Sequence, residues 1–342
     1  MFEVSSIDQT PFIIAEVGQN HQGDLEIAKQ YIRIFASEGA SAVKFQTRNN
    51  RYLFSPDAYD KLYDSENSFG STYGEHRENL ELKPEWLPLL KQECVENGVL
   101  FMATPFDEPS LDLLLQVGVD VLKIASFDLG NLPFATLFGK SGKPLILSTG
   151  GGNLNQIAST VDVLKDCQSD FAVLHCVSEY PCDFNRLGLS TIQHLKEELG
   201  DITVGLSDHF NGTLSGPIAY LLGARVFEKH VTLNRAWKGT DHSFALERDG
   251  FRRFVRDIGR VRFMLPPKDS SDIGNEFVFQ KLGKSIVAKS RLEIGQIITA
   301  ECLSGKIFTE LHIPVRESGQ VIGRKIQTNV AAGEPIEFRY FE

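Results

Sequence analysis

Eight short apolar segments punctuate the first two thirds of the chain: FIIAEVG from Phe12, AVKFQT from Ala42, LFMATPF from Leu100, VLKIAS from Val121, PLILSTG from Pro144, FAVLHCVS from Phe171, TVGLSDH from Thr203 and VFEKHVT from Val226. Each has the length and the branched or aromatic content of a buried strand. Between them run stretches with apolar residues at three- and four-residue spacing, such as DLEIAKQYIRIFASEG from Asp24 and NLNQIASTVDVLKDC from Asn153. These open on residues that cap helices. Eight strand and helix units predict an α/β fold of the (β/α)8 TIM-barrel type. The alternative, an open doubly wound sheet, usually has fewer strands and a glycine-rich nucleotide turn after the first, which AEVGQNHQG does not match.

Polar residues fall late in these segments: Glu16, Lys44 with Gln46, Thr104, Lys123 with Ser126, Ser148, Ser178, Asp208 with His209, and His230. The strand ends of a TIM barrel open onto one face, so these residues are expected to converge on one pocket. The stretch 48–83 is too long for a simple connection, and its aromatics Tyr52, Phe54, Tyr59, Tyr63, Phe69 and Tyr73 predict an ordered flap over the pocket rim. After a helix over 247–264, LPPKDSSDIGN reads as a linker. The expected organisation is a barrel over 1–264, a linker over 265–276 and a second domain over 277–342. In that domain LGKSIVAKSRLEIGQIIT, from Leu282, resembles IGRKIQTNVAAGEPIE, from Ile322, pairing Gly283 with Gly323, Gly295 with Gly333 and Ile298 with Ile336. A small β-rich fold of two similar halves follows.

Composition narrows the function. A net charge of -10 with no basic stripe argues against nucleic acid and anionic membranes as partners. No segment approaches the roughly 18 uninterrupted apolar residues of a membrane span, and MFEVSSIDQT lacks the regions of a signal peptide, so a cytoplasmic location is expected. The cysteines Cys94, Cys167, Cys176, Cys182 and Cys302 form no CxxC pair, which predicts reduced thiols rather than disulfides or a zinc cage.

The candidate chemistry centres on two pairs. His209 and His230 end neighbouring strands and can share a divalent cation, unless one is a hydrogen-bonded core histidine. Lys44 and Lys123 lie inside apolar strands, where an amine is expensive to bury without a partner, and an anionic ligand would satisfy both. Thr104, Ser126, Ser148 and Ser207 would add hydroxyl donors for phosphate or carboxylate oxygens.

LSDH preceding EKH, the opening AEVGQNHQG, VKFQT, ATPF, LKIAS, LSTG, HCVSEYP and KGTDHSFALE together resemble the sialic acid synthase family, which includes N-acetylneuraminate and N-acylneuraminate-9-phosphate synthases. The C-terminal stretch resembles that family's antifreeze-like (SAF) domain. The resemblance implies condensation of phosphoenolpyruvate with N-acetylmannosamine or a related aldose, possibly 6-phosphorylated, to give a nine-carbon 2-keto acid. It also implies a domain-swapped homodimer. His209 and His230 match metal-ligand positions, usually for Mn2+, with Mg2+ or Co2+ as alternatives. Lys44, Thr104, Lys123, Ser126, Ser148 and Ser207 match positions that hold phosphoenolpyruvate, and Gln46, Asp128 and Ser178 are grouped with them as substrate contacts. Glu16, Tyr180 and Asp241 match positions that orient the aldose and handle its protons. Ser178 stands where the family often has Asn, and Phe127 with Asp128 where it often has Gly-Glu. TYGEHRENLEL, from Thr72, and WKGTDHSFALE look closer to the 9-phosphate synthases, with His76, Arg77 and Lys83 as candidates to meet a sugar phosphate. The competing readings are another metal-dependent TIM-barrel hydrolase acting on a sugar, or a lyase or aldolase using Lys44 or Lys123 as a Schiff-base nucleophile.

Overall fold

The computed structural model of the protein describes residues 3, 4, 7 and 10–341. Strands β1 (Phe12–Gly18), β2 (Ala42–Thr47), β3 (Leu100–Pro105), β4 (Val121–Ile124), β5 (Leu145–Ser148), β6 (Phe171–Cys176), β7 (Thr203–Asp208) and β8 (Val226–His230) run parallel in sequence order. β8 pairs with β1 and closes the barrel. The fold is the (β/α)8 TIM barrel that the segment pattern predicts. The helices start where capping chemistry places them: Asp24 accepts from Ile27 N, and Asn153 with Gln156 forms a reciprocal capping box.

Alternation along each strand separates two cores. Ile13, Ala15, Val43, Phe45, Phe101, Leu122, Leu147, Val173, Leu206 and Phe227 face outward, against helix residues such as Tyr31, Phe35, Leu90, Phe251 and Phe254. The opposite parity faces inward, where Phe12, Ile14, Ala42, Met102, Val121, Ile146, Ala172, Leu174 and Val226 plug one end of the barrel. Continue two residues along these strands and the inward side chains become Glu16, Lys44, Thr104, Lys123, Ser148 and Glu228. The barrel interior is thus hydrophobic at the N-terminal ends of the strands and ionisable at their C-terminal ends.

The chain divides into two compact units, Met1–Leu265 and Pro266–Glu342. The second contains a two-stranded antiparallel sheet, β9 (Ser285–Ala288) with β10 (Leu303–Lys306), and a core of Ile286, Ala288, Leu292, Ile298, Ile313, Ile326 and Ile336. The internal similarity holds in part. Gly295 and Gly333 share a left-handed backbone, φ +87 and +84, and Ile298 and Ile336 are both buried. Gly283 departs from it: it ends a short helix with φ -63, whereas Gly323 has φ +85. No helix among the described residues is long and apolar enough to cross a membrane.

Candidate active site

At the ionisable end the inward side chains form a row of alternating charge. Lys44 Nζ lies 2.7 Å from Glu16 Oε2 and 3.6 Å from Glu228 Oε1, and Glu228 Oε2 lies 3.8 Å from Lys123 Nζ. All four side chains are buried. Ionised groups survive such burial only when paired, and here two amines face two carboxylates. Hydrogen bonds extend the row: Lys44 donates to Thr104 Oγ1 (3.1 Å), Gln46 Nε2 to Glu16 Oε1 (2.7 Å) and Ser207 Oγ to Glu228 Oε1 (3.4 Å).

The charges are not shared evenly. Burial raises Glu16 above the usual carboxylate range; Lys44 opposes that rise and Glu228 adds to it. For Glu228 burial is outweighed by Lys123 and Lys44, which hold it low. Burial likewise lowers Lys123 despite Glu228, while Lys44, between two carboxylates, stays above its ordinary value. Glu16 is therefore the member of the row best placed to carry a proton. Lys123 is the least held amine. Among the described residues its only hydrogen bond is a 3.3 Å contact to the Ile124 carbonyl.

On the β5 and β6 side the site is lined by hydroxyls around a glycine. Gly150 N donates to Ser126 Oγ (2.9 Å). A Cβ on Gly150 would stand 2.2 Å from Ser178 Oγ, 2.9 Å from Ser126 Oγ and 3.0 Å from Cys176 Sγ, so only glycine leaves this cradle open. Ser148 Oγ and Ser178 Oγ are buried and have no hydrogen-bond partner. Buried donors are rarely left unmatched, and Ser148, which lines the cavity, stands where an anion would satisfy it.

The two imidazoles meet on β7 and β8. Their ring centroids are 5.3 Å apart, and Tyr180 lies 4.0 Å from His209. His209 Nδ1 is 2.7 Å from the Val177 carbonyl, a contact that requires the proton on Nδ1, so in the neutral ring the lone pair lies on Nε2. Burial pushes His230 down to about 3, so its ring is neutral, and its buried Nδ1 has no partner, Asp241 Oδ2 being 3.8 Å away. For His209, burial is outweighed by Cys176 and Val177, which leave it raised. A neutral ring with an orphan nitrogen beside a ring whose tautomer is fixed fits the donor set of a divalent cation. Among the described residues no third His, Cys, Asp or Glu completes a preformed ligand cluster with them.

These groups open into one cavity of ≈ 720 Å³, the size of a small-ligand pocket. Glu16, Lys44, Gln46, Thr104, Lys123, Ser126, Asp128, Ser148, Tyr180, Ser207, His209, His230 and Asp241 all line it. Ser178 does not; it sits behind Gly150. Asp208 is a correction. Strand parity turns it to the outer face, where Lys229 Nζ donates to its Oδ2 at 2.7 Å. Glu228 was not foreseen, although it shares the inward parity of His230 in the same strand.

The flap is ordered, with short helices at Asn50–Leu53, Pro56–Tyr59 and Tyr73–Asn79. Tyr63, Phe69 and Tyr73 pack around His76, whose Nδ1 accepts from Phe69 N (3.1 Å), and burial lowers His76 to about 4. His76 is therefore part of the flap's own core, and Lys83 lies over Trp86. Of the three expected phosphate contacts only Arg77 lines the cavity, joined by Gln19, Arg48 and Phe106, which no periodic pattern singled out.

Residues 31–269 match the family model described as "NeuB family". The chain is 33% identical over 326 residues to N-acetylneuraminate-9-phosphate synthase of Homo sapiens, covering 95% of this chain and 91% of that one. It is also 33% identical over 340 residues to N,N'-diacetyllegionaminic acid synthase of Legionella pneumophila, covering 97% and 95%. A crystal structure of N-acetylneuraminic acid (sialic acid) synthetase from Leptospira borgpetersenii in complex with citrate superposes with a TM-score of 0.68 at 33% identity, covering 78% of this chain and 90% of that one.

Proposed function

This chain belongs to the NeuB family, and on that footing we propose that it condenses phosphoenolpyruvate with an aldose to give a nonulosonate and inorganic phosphate. The observation that carries the reading is the meeting, in one cavity, of the Glu16–Lys44–Glu228–Lys123 row, the open cradle at Gly150 and the paired imidazoles.

The groups suit the reaction as follows. Lys44 and Lys123 face the carboxylate and phosphate of phosphoenolpyruvate, with Thr104, Ser126, Ser148 and Ser207 donating to the remaining oxygens. As C3 of the enol forms its bond to the aldehyde carbon, the carbonyl oxygen takes up charge and then a proton, which Glu16 is placed to give. Water adds at C2 and phosphate departs with cleavage of the C–O bond, so phosphoenolpyruvate, aldose and water account for every atom of the products. Gln46, Asp128, Tyr180 and Asp241 orient the sugar hydroxyls. His209 and His230 would hold a divalent cation, Mn2+ or in its place Mg2+ or Co2+, which when bound supplies Lewis acidity toward the aldehyde oxygen.

The small unit is read as the family's antifreeze-like domain, a reading supported by a match to the human relative over 95% of the chain. The resemblance also supports a domain-swapped homodimer, and a cytoplasmic location stays the expectation drawn from the sequence. A Schiff-base aldolase has one observation in its favour, the loosely held Lys123 whose burial favours a neutral amine. Incubation with phosphoenolpyruvate, Mn2+ and a panel of aldoses in H2 18O separates the two. Aldose-dependent release of phosphate free of 18O is expected. Trapping of a pyruvate adduct on Lys123 by borohydride, with no phosphate release, would favour the aldolase.

A further inference from the structure

The chain leaves β8 at His230 and returns beside it, where Leu246 N donates to the His230 carbonyl and Thr232 N to the Leu246 carbonyl, both at 2.9 Å. The loop between carries two residues that meet the site. Asp241 lines the cavity, and the Phe244 ring lies 5.1 Å from His230, 5.9 Å from Tyr180 and 6.4 Å from His209 between centroids. His242 stands between them in sequence and does neither. It is buried, and it does not line the cavity.

Its ring is the middle of a directed chain of hydrogen bonds. Gln22, in the loop after β1, has its amide nitrogen 2.6 Å from the Lys238 carbonyl and 3.5 Å from His242 Nε2. An amide nitrogen only donates, so Nε2 accepts, and the ring's proton lies on Nδ1, 2.8 Å from Thr232 Oγ1. The threonine hydrogen is then left for the Asn234 carbonyl at 3.1 Å. This chain needs the uncharged ring, and burial lowers His242 to about 4. The loop is also packed around it. A Cβ on Gly239, whose φ is +144, would stand 2.7 Å from His242 Cδ2, and Trp237 meets the ring edge-on with centroids 6.0 Å apart.

The bond to Gln22 matters because of what the β1 side of the site holds. A Cβ on Gly18 would stand 3.3 Å from both Glu16 Oε1 and Gln46 Nε2 and 3.6 Å from Asp241 Oδ2, so these three side chains converge on one point of the wall. Glu16 and Gln46 are fixed on β1 and β2, whereas Asp241 sits on a loop. Gln22 has φ +54, a left-handed backbone that few residues other than glycine adopt, and this places its amide against the β8 loop.

Resting on the synthase reading above, we propose that His242 is a positioning residue for the aldose: bonded to Gln22 and Thr232, it holds Asp241 in place against Glu16 and Gln46. It touches no substrate and acts through Asp241. The test is steady-state kinetics with phosphoenolpyruvate, Mn2+ and either N-acetylmannosamine or its 6-phosphate, whichever the parent turns over faster. His242→Phe keeps the bulk of the ring and removes both hydrogen bonds. With it kcat/KM for the aldose should fall roughly tenfold to a hundredfold, while KM for phosphoenolpyruvate moves less than about twofold. His242→Asn, whose amide nitrogen takes the place of Nδ1, should recover part of the loss. In an Asp241→Asn background His242→Phe should cost less than about threefold, because the carboxylate it acts through is already gone. A fall in kcat with both KM values at their parent levels, as in a variant that merely folds poorly, would overturn the role. So would a full further loss in the Asp241→Asn background, and either result would leave the synthase standing. A parent that releases no phosphate with either sugar would sink the synthase reading, and the role with it.

Discussion

Two sets of ionisable groups are buried on the same pair of strands, β7 and β8, and they are satisfied in opposite ways. On the outer face, Asp208 and Lys229 have no solvent-exposed side-chain surface. Asp208 accepts from Phe210 N (2.9 Å), Ser215 Oγ (2.5 Å) and Lys229 Nζ (2.7 Å), while Lys229 also donates to the Phe210 carbonyl. On the inner face, one residue away in each direction, Glu228 Oε2 and His230 Nδ1 are buried with no hydrogen-bond partner. A saturated pair has nothing left to offer a ligand. An unsaturated row beside a cavity is organised around something still to arrive, and a charged residue in an apolar strand can serve either end.

The largest effect that would break this contrast is on folding. Replacing Lys229 with Met leaves Asp208 buried without its counter-charge and should destabilise the fold by about 3–5 kcal/mol in urea denaturation. Lys123→Met removes an amine held by one long hydrogen bond and a 3.8 Å ion pair to Glu228, which keeps Lys44 at 3.6 Å as its counter-charge, and should change stability by less than about 1 kcal/mol or even raise it, since active-site charges are commonly kept at the expense of stability. Its kinetic effect should be a higher KM for phosphoenolpyruvate than the change in KM for the aldose. Similar unfolding free energies for the two variants would erase the distinction drawn above.

A smaller effect sharpens it at the hydroxyl cradle. Gly150→Ala puts a methyl 2.2 Å from Ser178 Oγ, closer than any real contact, so the serine must move. Overpacking of this kind costs about 1–3 kcal/mol. The same methyl stands 2.9 Å from Ser126 Oγ, which lines the cavity, so KM for phosphoenolpyruvate should rise as well. A fall in stability with unchanged KM would make Gly150 a packing residue only.

Much of this was legible because alternation is strict. Eight apolar segments gave the barrel, and inward parity carried Glu16, Lys44, Lys123, Ser207, His209 and His230 to one cavity. The same parity, applied to EKH, places Glu228 inward and Lys229 outward once His230 is inward; it also turns Asp208 away from His209. Those two residues were misjudged because strand-end position was weighed without face. Arg48, Gln19 and Phe106 were illegible for a different reason: they follow the strands or sit in loops, where no period relates sequence to direction. His76 looked like a ligand contact because a histidine among aromatics reads the same whether it faces a cavity or the core of its own flap.

The smallest effect concerns burial by neutralisation rather than by pairing. His21 is buried and pushed down to about 4, mainly by desolvation, and its Nδ1 accepts from Gly23 N at 3.1 Å, a bond that needs the uncharged ring. His230, at about 3, is held neutral in the same way. For both, the unfolded chain takes up a proton near the ordinary value of about 6.5 while the folded protein does not, so the unfolded state binds more protons below that pH. Stability from these rings is fully present above pH ~6.5 and falls as pH drops toward their folded values, by up to about 1.4 kcal/mol per pH unit for each ring. His209 works the other way: its raised value contributes stability at low pH that is lost as pH rises through it, which offsets part of the slope. Urea melts at pH 7, 6 and 5 should therefore show stability declining with acidification, and His21→Gln, which removes one titrating ring, should flatten the decline. Melts that are level across this range, or an unchanged slope in His21→Gln, would mean that the buried imidazole is not held neutral by the fold.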